Sequence, residues 1–421
     1  MRPFSFIHAA DLHIDSPFRG VSADAPAVAE ALYSSTFRAF DGLMDVTLER
    51  EADFLLIAGD VYDGQDRSLR AQLRLRDGVK RLGEAGIQSF IVHGNHDPLD
   101  SKVTALDWPE QAHFFGRKLE SMEALGADHE PVATITGISF PKKEESRNLA
   151  AKFSRQESGL FQIGLLHCNV GGNTGHENYA PCTLDDLRTG GMDYWALGHV
   201  HTRKILSEAP YVVYPGNIQG RSIREAGPRG CYHVQVDEQG RVEAEFIPLD
   251  VVRWGEVRVS IQDLETVDAL ERALTEKLEQ GIAEASGRAL VCRVTVEGRG
   301  PLHAGLRRAR AADDLLERLR ERFSSEDPFA WVQRLTIHTR PDVDLAERML
   351  GEDLLAEVLI TADEYKKSAG GGQALYDAAL ADLWENSRMA RARMERPDGD
   401  EIKAILQDVE YLCLDLLESE E

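Results

Sequence analysis

Phe54-Leu55-Leu56-Ile57-Ala58-Gly59-Asp60-Val61-Tyr62-Asp63 is the stretch that decides the fold. An apolar, strand-like run stops at a glycine, and two carboxylates follow within four residues. The same grammar recurs along the first half of the chain. Residues 4–8 lead to Asp11-Leu12-His13, and residues 88–93 lead to Gly94-Asn95-His96-Asp97. Residues 162–167 end on Leu166-His167, and residues 194–197 lead to Gly198-His199-Val200-His201. Between these runs lie stretches of helical spacing, residues 28–50 and 68–85. Strand–helix–strand alternation implies an α/β layered domain. In an open α/β sheet the carboxyl ends of the strands converge on one crevice, so residues far apart in sequence meet there.

The residues brought to that crevice are Asp, His, Asp, Asn, His, His and His, all nitrogen or oxygen donors. Mixed imidazole and carboxylate ligands suit manganese, iron or zinc and argue against calcium, which prefers oxygen. Seven donors exceed the need of one four-coordinate site. They suit two ions sharing a carboxylate, a pair that binds a phosphate and supports in-line displacement. Gly59, Gly94 and Gly198 fit tight strand-to-loop turns.

Further strands are expected at residues 133–138 and 211–214, and a hairpin at 231–236 and 242–247 around Asp237-Glu238-Gln239-Gly240-Arg241. Residues 256–261, 264–285, 290–296, 311–323 and 331–338 read β-α-β-α-β. From residue 342 the periodicity is helical, broken at Gly370-Gly371-Gly372 and Pro397-Asp398-Gly399. The spacing therefore predicts three parts: residues 1–250, a small α+β domain at 251–340, and a helical C-terminal region at 341–421.

Of 421 residues, 48 are Lys or Arg and 72 are Asp or Glu, a formal net charge of −24. Acidity of this size opposes non-specific binding to nucleic acid or to an anionic membrane. The charge is unevenly spread, however: −11 in residues 1–250, zero in 251–340 and −13 in 341–421. The N-terminus lacks the apolar core of a signal peptide, and no apolar run reaches 18 residues. The five cysteines are scattered and never spaced C-x-x-C, which fits a reducing, cytoplasmic compartment.

The order D-x-H, G-D-x-x-D, G-N-H-D, a lone His after a strand, then G-H-x-H resembles the signature of calcineurin-like metallophosphoesterases. With GNHD, GHVH and a small following domain, the chain looks like the DNA double-strand-break nuclease branch. That branch includes SbcD-type subunits, and the likeness is nearest to YhaO-type DNA repair exonucleases. The resemblance implies a layered β-sandwich core flanked by helices, with residues 251–340 as a capping domain. It implies that Asp11, His13 and His201 hold one metal and Asn95, His167 and His199 the other, with Asp60 bridging. Manganese is the expected metal. His96 would be the catalytic histidine, its tautomer held by Asp97. Archaeal and eukaryotic nucleases of this branch carry a histidine at the place of Asp63, which here follows the general phosphoesterase pattern.

Weaker signals surround this core. Tyr214-Pro215-Gly216-Asn217, with Arg221 and Arg224, reads either as a DNA phosphate contact or as a turn with solvated arginines. His8, His93 and Cys168 read as packed residues. Residues 171–176 read either as a plain surface loop or as a mobile loop near the active site, and Arg307, Arg308 and Arg310 either as a solvated basic face or as a contact for DNA backbone. Leu350, Leu354, Leu355, Val358 and Leu359 stand at near-heptad positions, for docking on a partner or packing on their own chain. The partners implied are DNA, an SbcC-like coiled-coil ATPase and a second copy of the chain.

The leading function is a two-metal phosphodiesterase acting on DNA as a 3′→5′ exonuclease in DNA repair. Its rivals are a cyclic-nucleotide or other small-substrate phosphodiesterase, and a DNA-binding scaffold with a structural metal. A phosphoprotein phosphatase typically shows GNHE where this chain has Gly94-Asn95-His96-Asp97.

Overall fold

The computed structural model describes residues 1–16, 26–64, 68–101, 104–172, 178–308, 310–368, 370–381 and 397–418. The chain forms two compact units. One comprises Met1–Val257, Leu278–Arg293 and Glu317–Arg334; the other comprises Arg258–Lys277, Val294–Leu316 and Leu335–Glu421.

The first unit is built on two six-stranded sheets. Strands β1 (Phe4–Ala9), β2 (Phe54–Ala58), β3 (Gln88–Val92) and β4 (Ala112–Phe114) run parallel. The second sheet contains β5 (Glu120–Leu125), β6 (Pro131–Ile138), β7 (Phe161–His167), β8 (Tyr194–Gly198), β9 (Lys204–Glu208) and β10 (Tyr211–Tyr214). The first sheet is completed by β11 (Gly230–Val236) and β12 (Val242–Pro248), giving the order β12-β11-β1-β2-β3-β4; the other runs β5-β6-β7-β8-β10-β9.

The reading of residues 54–58 as an unbroken apolar run now has its cause. Phe54, Leu56 and Ala58 face the core between the sheets, among Phe6, Phe90, Ile135, Ile163 and Tyr194. Leu55 and Ile57 face the opposite way, beneath the helices α1 (Pro26–Glu49) and α2 (Leu69–Glu84). A strand covered on both faces has no solvent face to alternate with. On the second sheet's outer face Trp195 and Leu197 pack with Phe153, Met192 and Leu187 of the short helix α3 (Leu184–Thr189). The layered α/β sandwich expected from the sequence is the observed architecture.

The expected strands appear within a few residues of their predicted bounds, and Asp237 closes the predicted hairpin by accepting the N–H of Gln239 and of Arg241. Three strands escaped the sequence: β4, β5 and β9. All three lie at sheet edges and are half-exposed or exposed over most of their length. Edge strands carry polar residues against water and lose the apolar signal that marks a central strand.

Beyond the sandwich, β13 (Val252–Ser260), β14 (Ala289–Arg299) and β15 (Ala330–Arg340) form a three-stranded sheet in that order. The helices Val267–Glu284 and Ala311–Phe323 stand between them in sequence, as the β-α-β-α-β pattern predicts. Within the first unit, Trp254 and Trp331 pack with Val28, Leu32 and Val291.

In the second unit, the helix Leu354–Lys367 buries Leu355 and Leu359 against Leu414 of the helix Gly399–Glu418. Lys366 pairs with the buried Glu410 at 2.7 Å. The near-heptad set is thereby divided: Leu355 and Leu359 pack on their own chain, while Leu350 and Leu354 stay exposed. Arg307, Arg308 and Arg310 are exposed, as expected. Among the described residues no helix is long and apolar enough to cross a membrane.

Candidate metal centre

Five strands of the two sheets deliver the expected residues to one place. Asp11 and His13 follow β1, Asp60 and Asp63 follow β2, and Asn95 to Asp97 follow β3. His167 ends β7, and His199 and His201 follow β8. The loop after β1 is laid along the loop after β2: the N–H of Asp11 donates to Gly59 O and that of His13 to Asp60 O, both at 3.0 Å. The sheets are also tied to each other here. His167 Nδ1 lies 2.9 Å from Ala58 O, and the His199 N–H donates to the Asp11 carboxylate at 3.0 and 3.1 Å.

This geometry strains the backbone. Asp11, His13, Asp60 and His199 have φ of 51°, 42°, 50° and 103°. Each such left-handed residue other than glycine costs about 1–3 kcal/mol and persists only where its surroundings over-determine it. Gly59, at φ 89°, begins the same turn at no steric penalty. Gly94 is needed for space instead, since a Cβ there would lie 2.8 Å from the His167 ring and would collide with the Asp60 carboxylate.

The side chains form groups whose ligand atoms crowd together. Asp11, His13 and His201 make one, Asp11, Asp60 and His167 a second, and His13, Asp63 and His96 a third. His13 Nε2 and His201 Nε2 face each other at 3.2 Å, with Asp60 Oδ2 4.0 Å from the former and Asp11 Oδ1 4.0 Å from the latter. His167 Nε2 stands 3.0 Å from Asn95 Oδ1 and 3.4 Å from Asp60 Oδ2, and His199 Nδ1 stands 3.2 Å from Asn95 Oδ1. Asp60 thus reaches towards both histidine groups.

Proton counting shows what these contacts lack. A carbonyl oxygen can only accept, so His167 Nδ1 carries the hydrogen that meets Ala58 O. Burial holds the His167 pKa down to about 4, so the ring is neutral near pH 7 and its Nε2 is a bare lone pair. That lone pair faces Asn95 Oδ1, which only accepts, and Asp60 Oδ2, which only accepts when ionised. The His13–His201 contact repeats the pattern: each ring turns its Nδ1 towards a carboxylate, Asp63 or Glu225, and its Nε2 to the other ring. Meanwhile burial, then the neighbouring charge of Asp60, drives Asp11 well above the ordinary carboxyl range, and burial lifts Asp60 to about 7. Acceptors aimed at one another around buried carboxylates are what divalent cations satisfy, and the residue types suit such ions.

Around this cluster lies a shell that sequence reasoning assigned incompletely. Asp63 Oδ1 is 3.1 Å from His13 Nδ1, 3.4 Å from His96 Nδ1 and 2.9 Å from the Arg221 guanidinium, and Asp63 Oδ2 accepts from Ser16 Oγ at 2.7 Å. Burial opposes its charge, but the contact with His13 and the charge of Arg221 hold Asp63 well below the usual carboxylate range. Asp97 does not serve His96 as expected. Its oxygens accept from Gly94 N at 2.8 Å, Val61 N at 3.0 Å and His93 Nδ1 at 3.2 Å, so it braces the turn after β3. The carboxylate beside His96 is that of Asp63.

The substrate contacts expected of Asn217, Arg221 and Arg224 divide as well. Asn217 is 1% exposed, and its amide is used up by Gln219 O, Glu225 Oε2 and Arg229. It is a buried support, not a surface for phosphate. Arg221 lies against Asp63 and Glu225 at the cluster, while Arg224 is exposed. Glu225 was missed altogether: it is 2.6 Å from His201 Nδ1. The only sequence signal for it was its place a few residues after the Pro-Gly turn.

His8 is buried with its Nδ1 3.0 Å from the Tyr194 hydroxyl, and His93 stacks on Phe114. Cys168 is buried in the core, its sulfur 3.8 Å from that of Cys182. Residues 173–176 of the expected loop lie outside the described residues.

Comparison with known proteins shows the family. Residues 4–203 match the calcineurin-like phosphoesterase family, and residues 254–340 match the middle domain of metallophosphoesterase YhaO. The chain belongs to the calcineurin-like metallophosphoesterases. It is 36% identical over 342 residues, 81% of this chain and 83% of the relative, to the uncharacterized metallophosphoesterase YhaO of Bacillus subtilis (strain 168). More distant relatives are DNA double-strand break repair proteins Mre11. That of Aeropyrum pernix is 27% identical over 53% of this chain and 56% of the relative. That of Archaeoglobus fulgidus is 24% identical over 87% of this chain and 85% of the relative.

Proposed function

We propose that the chain is a two-metal phosphodiesterase that hydrolyses DNA, acting as a 3′→5′ exonuclease in repair. The observation that carries the reading is the double set of inward-facing acceptors meeting at Asp60. The likeness to Mre11 double-strand break repair proteins supports DNA as the substrate.

In this reading Asp11, His13 and His201 hold one cation and Asn95, His167 and His199 the other, with Asp60 serving both. The two ions, manganese in our reading, supply Lewis acidity at the phosphorus and lower the pKa of water. The chain's own residues do the rest. Water releases a proton to solvent as its oxygen bonds to phosphorus, the bond to the 3′ oxygen breaks, and His96 gives that oxygen its proton and regains one from solvent. His96 suits contact with a substrate because its side chain is 39% exposed, unlike the buried His13 and His167. Asp63 Oδ1, 3.4 Å from Nδ1, orients the ring and leaves Nε2 to deliver the proton. Arg221 offers a cation at the edge of the cluster for a second phosphate of the strand.

The same reading places the protein in the cytoplasm, which its five free thiols suit. It seats a coiled-coil ATPase of the SbcC type on the acidic C-terminal helices, where Ile405, Val409, Leu412 and Leu416 remain exposed along one helix. The direct test is linear duplex DNA labelled at its 3′ ends. Full-length protein with manganese should release the label as mononucleotide, and chelation should stop it. Hydrolysis of bis-p-nitrophenyl phosphate with none of DNA would overturn the nuclease reading.

A further inference from the structure

We infer that Glu225 is a positioning residue, whose carboxylate presents His201 Nε2 to the Asp11–His13–His201 group and sets how tightly that group holds a divalent cation. The inference rests on the two-cation reading and deepens it, because it assigns affinity at one half of the centre to a residue outside the ligand set.

Glu225 is itself held from two sides. Its Oε2 accepts the backbone N–H of Arg221 at 2.7 Å and the side-chain amide of Asn217 at 3.1 Å. Those two donors fix the plane of the carboxylate. Oε1 is left aimed at His201 Nδ1, 2.6 Å away. A carboxylate without a proton can only accept, so Nδ1 must carry the ring hydrogen and Nε2 must be the bare nitrogen. Nε2 is the atom turned towards His13 Nε2 and Asp11.

The backbone of His201 is pinned from the same support. Arg229 donates a guanidinium N–H to His201 O, as does the Asn217 N–H at 3.3 Å. Arg229 also bonds Asn217 Oδ1 at 3.2 Å and the carbonyl of Glu225 at 3.0 Å. One lattice of the buried Asn217 and Arg229 with the part-buried Glu225 therefore fixes His201 at both its backbone and its ring. In the other group His167 Nδ1 rests on a backbone carbonyl, that of Ala58. A full negative charge behind an imidazole raises its strength as a ligand more than a peptide dipole does. Removing the charge at Glu225 should weaken one half of the centre and leave the other.

The test is a manganese titration of the full-length chain by calorimetry, comparing wild type with Glu225→Gln and Glu225→Ala. Glutamine keeps the shape and an acceptor for Nδ1–H but drops the charge; alanine drops both. Wild type should bind two ions. Glu225→Gln should weaken one binding step by about 10-fold and Glu225→Ala by up to about 100-fold, with the other step unchanged. The metal-free Glu225→Gln protein should unfold at a lower temperature, because the amide nitrogen in place of Oε2 cannot accept from Arg221 N or Asn217 Nδ2; a second binding step at wild-type affinity is what separates positioning from general damage. Equal weakening of both steps, or no change in either variant, would overturn the inference. Two ions bound by wild type without release of nucleotide from DNA would sink the DNA substrate alone; fewer than two bound would sink both.

Discussion

His167, at the end of β7 in one sheet, donates its Nδ1–H to the carbonyl oxygen of Ala58, the last residue of β2 in the other, at 2.9 Å. The bond makes the metal centre part of the sandwich seam. Each expected ligand group draws on strands of both sheets, so the centre forms only when they meet in this register. Without a cation the seam also contains two buried carboxyl groups driven towards neutrality, Asp11 and Asp60.

Metal should therefore stabilise the fold. A ligand at about 100 times its Kd adds about 2.7 kcal/mol, which at about 2–4 °C per kcal/mol for a domain of this size is a rise of about 5–10 °C. Thermal unfolding with manganese and with a chelator measures this directly. An unchanged Tm would argue against a cation at the seam.

His96 should be separable from metal binding. Its backbone N–H reaches Asp60 Oδ1 at 2.9 Å, but its ring lies by Asp63, outside the expected ligand sets. His96→Ala should keep its full metal content and lose about 10²–10⁴-fold in turnover. Loss of metal in that variant would move His96 into the ligand set.

Asp63→Asn should lower kcat by about 10- to 100-fold, since the carboxylate behind a working imidazole is rarely dispensable. Asp97→Asn should act differently, by weakening the turn that Val61 N, Gly94 N and His93 tie to it. The contrast is read by comparing kcat with the denaturation midpoint of each variant. A larger stability loss at Asp63 than at Asp97 would reverse the assignment.

Asn217→Ala should reduce stability by about 1–3 kcal/mol, because Gln219 O, Glu225 and Arg229 all lose a buried partner. DNA affinity of the folded variant at saturating manganese should hold. Weakened DNA binding at unchanged stability would restore Asn217 as a substrate contact.

These last variants mark where sequence stops being informative. The ligand candidates were readable because each follows a strand that ends abruptly, as Ala58-Gly59-Asp60 and His93-Gly94-Asn95 do, and strand ends converge. The central strands were readable because burial on both faces leaves only apolar residues. Asp97 was misread because adjacency in G-N-H-D suggested adjacency in space, whereas the turn sends its carboxylate back to Gly94 N and Val61 N. Asn217 looked like an exposed turn residue beside Pro215-Gly216, yet it is sealed under Arg229. Glu225 sits in a short stretch with no periodicity, and only the packing of Asn217 beside it shows what it does. Edge strands such as β9 were lost for the opposite reason: water, not protein, covers them.

Whether two cations share Asp60 is decided by anomalous scattering from crystals grown with manganese. Two manganese peaks are expected, one contacted by Asp11, His13 and His201, the other by Asn95, His167 and His199, with Asp60 touching both. A single peak, or one held by His13, Asp63 and His96, would contradict this.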